Sequence, residues 1–301
     1  MIMRKDGDFL LVFPILITYF NDSIEMTISV LMSVYKSEKA EYFNRSLQSV
    51  WDDQTLKPSQ VVLIVDGPVG DDLWEVIHVW EDRLGDILCL VQNKENLGLT
   101  KSLNKGLQYV TSIYIARADS DDISLPLRFE RQLDYLEHHP DIDILGGAIQ
   151  EFNENNECLN IRHYPLTHEQ ACKYILKASP LAHPSVMMRK KIFDEGLRYD
   201  EQYRTSQDVA LWYDAVLAGY HIANLDEIIL LFRHSRDVYK RRGHAKAWNE
   251  FKIYMKGIYR MKGVFTWNYI YPISRLAFRM MPDSIIGIIY RSNMRNKMLQ
   301  D

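Results

Sequence analysis

From Thr27 to Asp119 the chain alternates short β-branched, apolar runs with segments of helical spacing, and few folds accommodate that pattern. "TISVLMSVY" (27–35) has the near-continuous hydrophobicity of a strand buried on both faces, and "YFNRSLQSVWDDQ" (42–54) reads at helical spacing through Phe43, Leu47 and Val50. Strand "QVVLIVD" (60–66), helix 71–84, strand 87–93, helix 98–110 and strand 112–119 continue the series. Strands and helices alternating through short connections predict an α/β fold: a mostly parallel sheet flanked by helices. Ligands of such sheets gather at the carboxyl ends of the strands, where Tyr35, Asp66 and Asp119 stand. Each alone reads equally well as a turn residue. Together they favour a site.

Composition narrows the partners. The three cysteines are widely spaced without a C-x-x-C, which indicates neither a disulfide framework nor zinc and suits a reducing cytoplasm. Residues 233–301 hold 15 Lys/Arg against 4 Asp/Glu, about +11, so the net charge of −4 leaves about −15 on residues 1–232. An acidic body argues against nucleic acid as the main partner. The basic tail, rich in Trp248, Phe251, Tyr254 and Tyr259, reads in two ways: as helices lying peripherally on the inner face of a membrane, or as helices packed on the body with a solvated charged face. At the other end, "FLLVFPILITYF" (9–20) is too short for a spanning helix and contains Pro14. We therefore expect an N-terminal extension over 1–26, dispensable for activity, a catalytic domain over 27–235 with halves meeting at 125/126, and a helical tail over 236–301.

"YIARADSDDISLP" (114–126) crowds Asp119, Asp121 and Asp122 where a strand ends, although like charges so close raise one another's pKa. A divalent cation resolves the conflict; so does solvation in a polar turn. As a calcium loop the segment fails, since Ile123 and Ser124 occupy the places of a ligand and the required glycine. Phosphate-gripping and dinucleotide loops fail for want of G-K-[ST] or G-x-G-x-x-G after any strand. What survives is D-x-D, two hard-oxygen ligands suited to Mg²⁺ or Mn²⁺. Ser124 is expected to cap a helix with Pro126 in its first turn, whose Leu127, Phe129, Leu133 and Leu136 reach the core.

These segments, with "ENLGLTKSLNKGL", "LAHPSVMMRKKIFDEGL" (181–197) and "SQDVALWYDAVLAGY" (206–220), resemble in order the motifs of the inverting glycosyltransferases of family 2, which have the GT-A fold. The likeness runs from about Thr27 to about His234. It implies a nucleotide-sugar site lined by Ser33, Tyr35, Asp66, Lys101, Arg117 and Asp119, with Asp66 accepting a hydrogen bond from the base. It implies metal ligation by Asp119 and Asp121, with His234 reaching in from the far side, an acceptor-side place for His183, and Asp208 as general base. Two departures stand out: Asp66 is followed by Gly67 where many members have a second Asp, and Gln207 replaces the acidic neighbour of Asp208. Read without the resemblance, Asp208 is an acid complementing a helix dipole, and His183 and His234 are packing or surface residues.

The resemblance implies a metal-dependent inverting transferase. Its donor would be a nucleoside-diphosphate sugar, a UDP-sugar by preference, and its acceptor a hydroxyl of a glycan or lipid-linked molecule in bacterial surface polysaccharide or lipopolysaccharide synthesis. Two alternatives remain open: a sugar nucleotidyltransferase, whose Gly-rich N-terminal signature is missing, and a non-catalytic binding or scaffold protein of the same fold.

Overall fold

The computed structural model describes residues 28–234 and 244–280; the expected 1–26 extension lies outside them. The first half runs β1 (Ile28–Val34), α1 (Ala40–Val50), β2 (Gln60–Val65), α2 (Asp71–Leu84), β3 (Leu88–Gln92), α3 (Leu99–Gly106) and β4 (Tyr114–Asp119). It continues through β5 (Ile123–Ser124), α4 (Arg128–His138), β6 (Ile144–Phe152), β7 (Cys158–Arg162), α5 (His168–Tyr174), β8 (Met187–Arg189), α6 (Lys191–Asp194), α7 (Gln207–Leu217) and β9 (Ile222–Arg233). Helices α8 (His244–Lys262) and α9 (Ile270–Met280) follow.

One sheet of nine strands has the order β3-β2-β1-β4-β8-β6-β9-β5, with β7 on β6. Strands β1 to β4 are parallel, as expected, and their continuous hydrophobicity follows from burial on both faces. Leu31, Val62 and Ile64 face a core shared with Leu103 and Trp212, while Val30, Met32 and Leu63 face another built with Phe43 and Trp80. Beyond β4 the sheet turns mixed. β8 lies antiparallel between β4 and β6, β6 and β9 are parallel, and β5 is antiparallel to β9.

The expected cap at Ser124 does not form. Ile123–Ser124 is a strand pairing with Leu230 and Leu231, the Ser124 N–H donates to Ser49 Oγ (3.0 Å), and its own hydroxyl accepts from Arg128 (2.9 Å). The helix starts at Arg128 instead, with Phe129 and Leu136 buried as expected but Leu127 exposed. Of the two readings of the tail, packing holds for one face of α8: Ile253, Tyr254 and Ile258 are buried in the core that contains α7. No helix among the described residues is long and apolar enough to cross a membrane.

Candidate active site

The parallel strands end side by side, which brings residues distant in sequence to one edge. Ser33 pairs with Asp119 across β1 and β4, and the Asp66 N–H donates to the carbonyl of Val34 (2.8 Å). Tyr35 projects just beyond β1 and is exposed, as is Lys101 in the first turn of α3. Asp66 is buried, and its carboxylate accepts from the N–H groups of Leu97 (2.8 Å) and Gly98 (2.9 Å) and from Asn93 Nδ2 (3.0 Å). It thereby clamps the loop entering α3. Gly67 answers the first departure: its φ of +86° is left-handed, and a Cβ there would lie 2.6 Å from the backbone nitrogen of Asn96. An aspartate would not fit this clamp.

The acidic turn is held from three sides. From α1, Ser46 Oγ donates to the carbonyl of Asp119 (2.7 Å), and from the segment after it Gln54 Nε2 donates to that of Leu125 (2.9 Å). From β9, the Arg233 N–H donates to Asp122 Oδ1 (2.8 Å) and its Nε to the carbonyl of Asp121 (2.9 Å), with its guanidinium over the Tyr42 ring at 3.8 Å. From inside, the fully buried Arg117 pairs with Asp119. Oxygens of Asp119, Asp121 and Asp122 lie within 4.8 Å of one another. Burial, then Asp119 and Glu38, push the Asp121 carboxyl up to about 7, and burial, then Asp121 and Asp119, raise Asp122 well above the usual carboxylate range.

This donor set fits a hard divalent cation. Three carboxylates share one small volume, and Asp122 Oδ2 is buried without a hydrogen-bond partner, a costly state that a cation would relieve. A merely solvated turn would not bury and brace its acids in this way. His234 follows Arg233 directly, its N–H donating to the carbonyl of Phe152 (2.7 Å), and its ring lies outside the group of oxygens drawn together within 4.8 Å.

The second half closes on the first through α3. Asn104 Nδ2 donates to the carbonyl of Tyr199 (2.9 Å), and Thr100 Oγ1 to that of Tyr203 (2.7 Å), fixing the loop that leads into α7. Asp208 sits in the first turn of that helix. Its carboxyl is raised by burial, against the opposing pull of the Val209 N–H, Arg117 and Lys246. Arg117 thus acts on Asp208 as well as on Asp121 and Asp122, and the Tyr199 phenol feels both Asp119 and Asp208. His183 is buried, with Nε2 2.8 Å from Tyr199 Oη and its ring edge-on to Trp212. Burial, then Arg117, holds it well below the usual imidazole range, so it is neutral at pH 7.

Sequence reasoning missed four members of this arrangement. Asp122 belongs to the carboxylate group, Glu38 accepts from Ser120 Oγ (2.6 Å) and charges the turn from the β1 side, Arg233 anchors the turn, and Tyr199 links His183 to the site. Arg233 had a signal, since it adjoins His234 in "LLFRHS". Tyr199 had none, because its place depends on the α3 contact.

Comparison with known proteins agrees with this fold. The family model for Glycosyl transferase family 2 matches residues 29–197. The amylovoran biosynthesis glycosyltransferase AmsE of Erwinia amylovora is 33% identical over 267 residues, covering 88% of this chain and 98% of that protein. The UDP-Gal:alpha-D-GlcNAc-diphosphoundecaprenol beta-1,3-galactosyltransferase of Escherichia coli is 32% identical over 269 residues, 89% of this chain and 96% of its own. Among solved structures, S. aureus TarS 1-349 in complex with UDP-GlcNAc superposes with a TM-score of 0.61 over 84% of this chain and 71% of that one, at 18% identity. That likeness shows a shared fold.

Proposed function

The chain belongs to glycosyltransferase family 2, and from that premise we propose that it transfers a sugar, with inversion, from a UDP-sugar to a hydroxyl of a lipid-linked or glycan acceptor in bacterial surface polysaccharide synthesis. The observation that carries the reading is the gathering of Asp119, Asp121, Asp122 and Asp208, separated by up to 89 positions, in the field of one buried arginine. The relatives support the donor and acceptor classes by their own names, a UDP-galactose donor and a diphosphoundecaprenol-linked acceptor in one and amylovoran synthesis in the other.

In this reading the strand ends hold the nucleotide, with Ser33 and Tyr35 beside base and ribose and Asp66 offering its remaining lone pairs to the base. Lys101 adds positive charge at the entrance to α3. Asp119, Asp121 and Asp122 would hold Mn²⁺ or Mg²⁺. Bound there, the cation supplies Lewis-acid stabilisation of the departing diphosphate. Arg117, buried and paired with Asp119, keeps the acids in place and adds positive charge beside the donor. Asp208 accepts the proton of the attacking hydroxyl, and a carboxyl raised by burial is a stronger base than an ordinary one. His183, neutral and fixed by Tyr199, borders the acceptor without a charge of its own.

A panel of UDP-, GDP- and dTDP-sugars with Mn²⁺, read by thermal shift and by nucleoside diphosphate release with a diphosphoprenol-linked sugar as acceptor, tests the proposal. Release with UDP-sugars that stops in Asp208→Asn supports it. Metal-dependent binding without turnover on any acceptor would favour the scaffold reading. Formation of a nucleotide sugar from a sugar phosphate would favour the nucleotidyltransferase.

A further inference from the structure

The connection between α8 and α9 presents Phe265 at 99% and Trp267 at 91% exposure, flanked by exposed Val264, Ile270, Tyr271 and Ile273. Single exposed apolar residues are ordinary; six within ten positions form a patch. The turn also holds its shape. Thr266 Oγ1 accepts from the Asn268 side chain (2.7 Å), and the Tyr269 hydroxyl donates to the carbonyl of Gly263 (2.9 Å), so the two aromatics point outward by construction. Arg275 and Arg279 fasten α9 to Glu250 of α8, and Arg275 also donates to the carbonyl of Lys177.

Charge identifies the occupant. Residues 244–280 carry seven Lys/Arg and one acid, Glu250, which Arg275 and Arg279 neutralise; Lys256 and Arg260 pair with Asp200 and Asp214, which leaves Lys246, Lys252 and Lys262 among the described residues. Lys262 adjoins the turn, and Lys173 and Lys177 stand on the neighbouring α5 side; all three are exposed and have no carboxylate partner among the described residues. An apolar, aromatic tip with exposed lysines beside it that face no carboxylate matches anionic headgroups over an acyl interior. A second copy of the chain would bring like-charged rims together, and residues 281–301, themselves net positive, offer no complement.

We infer that the α8–α9 turn inserts into the headgroup layer of an anionic bilayer, holding the enzyme on the membrane surface. Lys246, which acts on Asp208, lies at the opposite end of α8, so one helix of 19 residues, about 28 Å long, runs from the neighbourhood of the candidate base to the lipid-facing turn. The inference does not depend on the donor or acceptor, and its failure would leave the catalytic reading intact.

Flotation of the full chain on phosphatidylglycerol/phosphatidylethanolamine vesicles, with phosphatidylcholine vesicles as the neutral reference, tests it. Wild type should float on the anionic vesicles and detach as salt rises. Phe265→Ser/Trp267→Ser should lower partitioning by about tenfold or more, and Lys262→Glu should weaken binding to anionic vesicles only. Both variants should keep the wild-type unfolding midpoint and their turnover on a soluble acceptor, because the altered side chains are exposed. Equal flotation of the double variant, or no flotation of wild type, overturns the inference. So does conversion of a dimer to a monomer by the double variant without a change on vesicles, or flotation gained only when residues 281–301 are removed.

Discussion

Asp121→Asn should make the metal-free protein more stable while abolishing its response to metal, and the two effects should cross. At an effective dielectric of about 20, two carboxylates 4.8 Å apart repel by roughly 3.5 kcal/mol. Asp121 has two such neighbours and Glu38 besides, with Arg117 offsetting part of the repulsion. Neutralising it without changing its shape should therefore leave a net gain of about 1–3 kcal/mol in metal-free buffer, or roughly 2–10 °C in Tm for a chain of this size. Wild type with Mn²⁺ at a hundred times its Kd gains about 2.7 kcal/mol, whereas the Asn variant gains nothing measurable. Thermal unfolding with EDTA and then with excess Mn²⁺ reads both halves of the crossing. An Asn variant less stable than wild type in EDTA would show that Asp121 is held by favourable protein contacts and not by crowding. A preserved Mn²⁺ shift would remove it from the ligand set.

Asp208→Asn should lower kcat by about 10²–10⁴ while sparing the donor-induced thermal shift. Because burial raises the Asp208 pKa and a base must be ionised, the rate should fall as pH drops through that raised value; an acid limb in kcat/KM at or below 3.8 would contradict the assignment. The same raised pKa means that the folded state favours the protonated acid, and this contribution is lost as pH rises through it, so the Asn variant should be the more stable at neutral pH. His183 titrates the other way: held low by burial, it contributes stability above its ordinary 6.5 that is lost as pH falls below it. The loss should reach up to about 1.4 kcal/mol per pH unit in wild type and be absent from His183→Gln in denaturant titrations. Gly257→Ala should cost about 1–3 kcal/mol, because its Cβ would lie 2.5 Å from the Tyr213 ring, which is held in turn by a 2.9 Å bond from its hydroxyl to the carbonyl of Ile175. An unchanged Tm would mean that α8 shifts freely on α7.

The parallel half of the sheet was legible because its strands are buried on both faces, which writes them into the chain as unbroken apolar runs; α2 was legible to the residue, 71–84, because its buried stripe of Leu73, Ile77 and Trp80 is strictly periodic. Ser124 failed for the opposite reason. Its local signal, a hydroxyl followed by Pro126 and a helical stripe, was real, but a partner more than a hundred positions away claimed the backbone first by drawing Ile123–Ser124 into a strand against Leu230 and Leu231. The same long-range closure makes the acidic turn a site. Asp119 and Asp121 are visible in the sequence as a pair of charges, yet a pair of charges in a loop is common. What separates this one is Arg233, 111 positions beyond Asp122, which donates from its backbone to one Asp122 oxygen and leaves the other buried and unpaired. Local pattern could locate the acids; only the topology could show that the fold holds them together against their mutual repulsion, which a protein has reason to do where a cation is to be received.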